Sequence, residues 1–249
     1  MSTSFLTTPS GRRIAYHLTP GTGPGVVFLG GYKSDMGGTK AVYLDAWAKS
    51  QGRAFLRFDY SGHGESSEAF EDGCIGDWAE DAAQAITQLT EGPQVLVGSS
   101  MGGWISLLMT RRIPEKVAAL VTIAAAPDFT EDSFWAGFSD AQKAELMEKG
   151  QVALPSDYDE PYIVTQRMIE DGRNNLVLRD PLPLPFPTRF LQGTADNSVD
   201  REVALRLLDH ATGPDMRLTL VDGADHGFSD ENCLPLITAS IQEVTQRCA

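Results

Sequence analysis

Short apolar runs and amphipathic stretches take turns along most of this chain. Residues 26–29, 54–58, 95–97, 117–125, 188–191 and 216–221 are brief and largely apolar, as strands in a covered sheet are, and residues 12–18 add an earlier strand. Between them, apolar residues recur at helical spacing. One helix face is Ala41, Leu44 and Ala48; a second is Ile75, Trp78, Ala82, Ile86 and Leu89; a third is Met101, Ile105 and Leu108. Residues 203–208 are helical, and Ile237, Ile241 and Val244 mark a final helix. Strand and helix in alternation predict an α/β fold, with a mainly parallel central sheet and helices on both faces. From 128 to 186 the alternation lapses into two helical patches and much loop, closing on Pro181, Pro183, Pro185 and Pro187. That length is too great for a plain connection. It predicts a core built from 1–127 and 187–249, with residues 128–186 inserted as a cap.

Composition narrows the class. The formal net charge of −14 argues against nucleic acid and anionic membrane as partners, because both require a basic patch. No apolar run reaches the ~18–20 residues of a membrane span, so stable membrane insertion is not expected. Residues 1–11 are polar and lack the basic-then-apolar pattern of a secretory signal. Cys74, Cys233 and Cys248 are scattered, without a CxxC pair. Together these features predict free thiols in the cytoplasm. The stretch 65–81 holds seven acids and no Lys or Arg, which reads as a solvated face. With no His or Cys at ligand spacing among them, no metal site is expected.

The candidate chemistry starts at Gly98-Ser99-Ser100-Met101-Gly102, a G-x-S-x-G string between an apolar strand and an amphipathic helix. In that context it predicts a nucleophile elbow, with Ser100 at the apex of a sharp turn and glycines where backbones crowd. A serine hydroxyl needs an imidazole to take its proton. Of His17, His63, His210 and His226, only the last two follow Ser100 with an acid between, the chain order such sites use. His210 ends a helix and reads as a surface residue. His226 sits in a loop after the last strand and is the expected base. Asp196, after the 188–191 strand, is the expected acid. Asp200 reads as a helix N-cap, and Asp225 is too close to His226 in sequence. The oxyanion hole is expected from the backbone N–H groups of Tyr32 and Met101, with plain rim residues as the alternative reading of Tyr32 and Lys33. Phe129, Phe134, Trp135, Phe138, Tyr158, Tyr162 and Met168 form either an acyl pocket or the cap's own core. Trp104, Phe129 and Trp135 are the pocket candidates, and Trp104 has packing as its alternative.

Residues 31–41 (GYKSDMGGTKA), 57–64 (RFDYSGHG), 92–104 (GPQVLVGSSMGGW) and 112–117 (RIPEKV) resemble one subgroup of the α/β-hydrolases. It is the group of the mitochondrial acyl-glucuronide esterase and palmitoyl-protein thioesterase, and this chain looks like a bacterial-type relative. The likeness is specific over most of 25–125 and weaker beyond, where mainly Asp196 and His226 align. It implies roles for Ser100, Asp196 and His226 in cleaving a small-molecule ester or thioester, or an acylated protein, through an acyl-enzyme and without a cofactor. The same triad serves cofactor-free dioxygenases, lyases and C–C hydrolases, which is the alternative reading.

Overall fold

The structure is a computed structural model that describes residues 3–154 and 162–248. Tyr158 lies outside the described residues. The chain opens with β1 (Ser4–Thr7), β2 (Arg13–Thr19), β3 (Thr22–Leu29), α1 (Thr39–Ser50) and β4 (Arg53–Phe58). Next come α2 (Ile75–Leu89), β5 (Gln94–Ser99), α3 (Met101–Arg112) and β6 (Val117–Ile123). The central excursion holds a π-helical turn (Thr130–Trp135), α4 (Asp140–Lys149), β7 (Gln151–Leu154), β8 (Tyr162–Thr165) and α5 (Gln166–Arg173). The chain closes with β9 (Leu182–Pro183), β10 (Thr188–Gly193), α6 (Arg201–His210), β11 (Ala211–Thr212), β12 (Met216–Val221) and α7 (Cys233–Arg247).

Eight strands form one sheet in the order β1-β2-β4-β3-β5-β6-β10-β12. β1 and β2 pair antiparallel, as do β2 and β4, and every later neighbour pairs parallel. The central strands are apolar throughout because both faces are covered. On one face, Val27, Leu29, Leu96 and Leu120 pack with Trp78, Ala82 and Ile86 of α2, Trp104 and Leu108 of α3 and Leu207 of α6. On the other, Val26, Phe28, Val95, Val97 and Val121 meet Leu44 and Ala48 of α1 and Ile237 and Ile241 of α7. α1 and α3 therefore leave the adjacent strands β3 and β5 toward opposite faces. A crevice opens between the ends of those strands, the place where open parallel sheets gather ligands.

The structure adds one element to the sequence reading and corrects one expectation. β1 was not foreseen; three of its four residues are exposed, so it carries no apolar period. The acidic stretch is only partly a solvated face. Asp81 is fully buried, accepting hydrogen bonds from Arg12 Nε (2.8 Å), the Ser61 N–H (3.0 Å) and the Ser61 hydroxyl (2.6 Å). Asp77 pairs with Arg12 and Arg167.

The stretch between β6 and β10 is fastened to the core at several points. Asp128, buried at φ +59°, accepts the N–H groups of Val177 and Leu178 at 2.8 and 3.0 Å. The Arg111 guanidinium, on the last turn of α3, donates to the carbonyls of Leu176, Val177, Asp180 and Pro181. Asp132 takes two cations, Arg179 from the returning chain and Arg206 from α6. No helix among the described residues is long and apolar enough to cross a membrane.

Candidate active site

Ser100 follows β5 directly and holds φ +55°, ψ −119°, a conformation L-residues rarely adopt. Its neighbours explain how the turn is tolerated. A Cβ on Gly98 would lie 2.2 Å from the Gly102 carbonyl oxygen, and one on Gly102 would lie 2.0 Å from that of Leu29. Any side chain at either position would drive the helix off the sheet. The strained apex lifts the Ser100 hydroxyl to the sheet edge, at the N-terminus of α3, where helical N–H groups lack intrahelical acceptors.

Three distant loops meet there. Ser100 Oγ lies 3.1 Å from His226 Nε2, and His226 Nδ1 lies 2.9 Å from Asp196 Oδ2. A carboxylate only accepts, so Nδ1 carries the ring proton and Nε2 is free to take the serine proton. The Asp196 side chain is wholly enclosed, while the His226 ring keeps 30% of its surface open. Asp196 Oδ1 accepts the N–H groups of Ser198 and Val199, both at 2.8 Å, and Oδ2 also accepts Gln192 Nε2 at 2.9 Å. Burial alone would raise the Asp196 pKa. The hydrogen bonds from His226, Val199 and Ser198 outweigh it and hold the carboxyl below the usual carboxylate range.

The loop after β3 runs beside Ser100. A Cβ on Gly31 would come within 3.4 Å of Ser100 Cβ. The next residue, Tyr32, makes no backbone hydrogen bond to another described residue, so its N–H is open, as is that of Met101 at the start of α3. Met36 fastens the loop from behind. Its N–H donates to buried Asp59 Oδ1 at 2.6 Å, and its carbonyl accepts Arg57 Nη1. Sequence reasoning missed Asp59 and Arg57, since neither stands in a motif that points to Met36.

The remaining candidates fall elsewhere. The Tyr32 ring is no rim residue. It is a hub, meeting Phe70, Trp78, Phe129, Phe134 and Tyr162 with centroids 4.8–6.1 Å apart. Lys33 is exposed, with Nζ 5.0 Å from the Phe70 centroid and 5.3 Å from that of Tyr162. Phe129 also meets the edge of Trp104. Trp104 has no exposed surface and donates its indole N–H to the Asn175 carbonyl at 3.0 Å, which is the packing alternative. Trp135 has the cations of Arg173 and Lys143 over its ring, 4.6 and 5.2 Å from the ring centre. Asp200 occupies the N-cap position of α6 but its side chain makes no cap bond. Asp225 Oδ1 accepts the Phe228 N–H and serves its own loop. His210 Nε2 donates to the Asp180 carbonyl at 2.8 Å. Cys74 and Cys233 are buried free thiols, with pKa values pushed by burial to about 12 and about 11, so neither is a thiolate at neutral pH.

Residues 37–158 match the alpha/beta hydrolase fold family. With the relatives that follow, which match nearly the whole of this chain, this makes the chain a member of the α/β-hydrolase family and an enzyme of the hydrolase class. Palmitoyl-protein thioesterase ABHD10, mitochondrial, from Rattus norvegicus is 35% identical over 98% of this chain and 82% of its own length. The Homo sapiens counterpart is 35% identical over 99% and 81%. Among solved structures, a putative hydrolase from Agrobacterium vitis S4 matches with TM-score 0.94 and 37% identity, covering 98% of both chains. Alpha/beta hydrolase domain-containing protein 10 from mouse matches with TM-score 0.92 and 32% identity over the whole of both.

Proposed function

We propose that the protein is a serine hydrolase that cleaves carboxylic esters or thioesters through an acyl-enzyme on Ser100. The observation that carries this reading is the unbroken row Ser100 Oγ, His226 Nε2, His226 Nδ1, Asp196 Oδ2, with steps of 3.1 and 2.9 Å at the ends of parallel strands. Ser100 Oγ attacks the carbonyl carbon while its proton passes to His226 Nε2. The oxyanion that forms rests on the N–H groups of Tyr32 and Met101. His226 then gives its proton to the departing alcohol or thiol, leaving the acyl group on Ser100. Water repeats the cycle: His226 takes its proton, the hydroxide adds to the acyl carbon, and Ser100 departs with the proton returned.

The excursion between β6 and β10 serves as the cap of this site, and its Phe129, Phe134 and Tyr162 bring an apolar side to Tyr32 beside the oxyanion loop. An apolar acyl chain suits that wall, in line with the thioesterase names of the relatives. Small-molecule esters, thioesters and acylated proteins are the candidate substrates. Three unpaired thiols suit a reducing compartment such as the cytoplasm.

The test is a fluorophosphonate probe read by intact mass, followed by a panel of nitrophenyl esters and acyl-thioesters. One adduct on the folded protein, absent in Ser100→Ala, is the expected result. A folded protein that takes no adduct overturns the reading.

A further inference from the structure

One residue just past the loop beside Ser100 has no place in the mechanism above. Lys40 stands in the first turn of α1, where the helix dipole disfavours a cation and where no acidic side chain offsets it. It is half-buried, and its ammonium crosses to the far side of the site. Nζ donates to the carbonyl of Gly227, the residue after His226 and 187 positions along the chain. Burial lowers the Lys40 pKa, and the Asp225 carboxylate works against that.

The loop that carries His226 is fastened unevenly. Its first half is tied to the loop of Asp196. The Gly223 N–H donates to Thr194 Oγ1 at 2.9 Å, and the Ala224 carbonyl accepts the Ala195 N–H at 3.0 Å. Its second half bends at Phe228, which holds φ +47°, and its other polar bonds are internal. The Phe228 N–H donates to Asp225 Oδ1, and Ser229 Oγ donates to the Gly227 carbonyl. Among the described residues, Lys40 supplies the one polar bond that ties backbone 227–229 to another element. The same side chain lines a cleft of about 240 Å³ with Gly30, Gly31, Ser34 and Ser229. It therefore spans from the oxyanion side of the site to the base side.

We propose that Lys40 is a positioning residue: by holding the Gly227 carbonyl it sets the height at which the His226 imidazole meets Ser100 Oγ, and it locks the base to the oxyanion loop. The role rests on the serine-hydrolase reading. It adds a residue that touches neither the reacting atoms nor the triad side chains. Small displacements of a catalytic group cost rate steeply, up to about a hundredfold for ~1 Å. The loss should fall on the chemical step and leave substrate affinity alone.

The experiment compares the full-length protein with Lys40→Met and Lys40→Arg. It reads kcat and KM on a nitrophenyl ester, the second-order rate of fluorophosphonate labelling, the melting temperature, and the downfield proton resonance of His226 Nδ1–H. In Lys40→Met, kcat and the labelling rate are expected to fall together by about 10- to 100-fold. KM should stay within about twofold, the protein should remain folded, and the His226 proton should broaden through exchange with water. Lys40→Arg, which can still donate to the carbonyl, should recover most of the rate. The proposal is overturned if Lys40→Met labels within about twofold of wild type. A rise in KM alone also overturns it, since that makes Lys40 a substrate contact. So does a loss that only tracks the unfolded fraction. If wild type itself takes no adduct, the hydrolase reading fails, and the His226 resonance in the two variants still decides the role of Lys40.

Discussion

The two oxygens of Asp196 do different work. Oδ1 is spent on its own loop, accepting Ser198 and Val199, while Oδ2 faces His226 and Gln192. Asp196→Asn can keep Oδ1 as the oxygen and place its amide nitrogen toward His226. Gln192 Oε1 is buried without a partner, and the Gln192 amide can turn to accept from that nitrogen at the expense of the Nε2 bonds to the Gly193 and Val199 carbonyls. The fold should tolerate the change, with a melting temperature within a few degrees of wild type. The imidazole has no such remedy. Facing an N–H donor, its Nδ1 must give up the proton, which moves to Nε2 and points at the serine. Ester turnover by Asp196→Asn should drop about 10³- to 10⁴-fold with KM little changed. Steady-state kinetics beside a thermal melt checks both halves. Activity retained within tenfold would show that this carboxylate does not set the tautomer.

At the scale of elements, α3 does two jobs at its two ends. Ser100 stands at its N-cap, and its last turn carries Arg111, which grips four carbonyls of the chain returning from the excursion. Arg111→Met keeps most of the aliphatic stem and removes the donors. It should cost about 1–2 kcal/mol, since hydrogen bonds from a charged group are stronger than neutral ones and this one is partly solvated. Hydrogen exchange should quicken at the backbone N–H groups of 176–182 more than in β5 and β6; uniform exchange across the chain would mean the grip is not local. Helices such as α2 were legible in the chain because one face must be apolar to lie on the sheet. Ile75, Trp78, Ala82 and Ile86 announce that face, and all four are fully buried. The central strands were legible for the same reason. β1 was not, because an exposed edge strand has nothing to bury. Nor was the β7–β8 hairpin, whose four-residue strands show little period. The candidate site divides in the same way. Ser100 announces itself by local crowding, which demands glycines at fixed offsets. His226 and Asp196 were found by elimination among few residues. Asp59, Arg57 and Lys40 were out of reach, because each acts on a backbone atom far away in sequence, and backbone atoms carry no sequence mark. The Tyr32 ring escaped likewise, its partners coming from four separate stretches.

Over the whole molecule, stability is tied to acid through His63. The ring is buried, Nδ1–H donates to the Ser61 carbonyl at 3.1 Å, and Nε2 has no partner among the described residues. Burial lowers its pKa from 6.5 to about 4. The folded state therefore refuses a proton that the unfolded chain accepts between those values. Stability contributed this way is complete above about pH 6.5 and is lost as pH falls toward 4, by roughly 3 kcal/mol across the window. In His63→Phe the Ser61 carbonyl keeps its bond from Trp78 Nε1. The urea midpoint of that variant should fall less between pH 7 and pH 4.5 than that of wild type; equal falls would mean that other groups govern acid sensitivity. A second demand on global stability comes from the backbone of Ser100, held at φ +55°. Such a conformation costs of order 1–3 kcal/mol in any residue with a Cβ. Glycine escapes most of that, less the ~0.5–1 kcal/mol it loses through a freer unfolded chain. Ser100→Gly should therefore melt higher than both wild type and Ser100→Ala, while taking up no fluorophosphonate. The hardiest version of this molecule would be an inert one, and selection for heat resistance alone would drift toward silencing it.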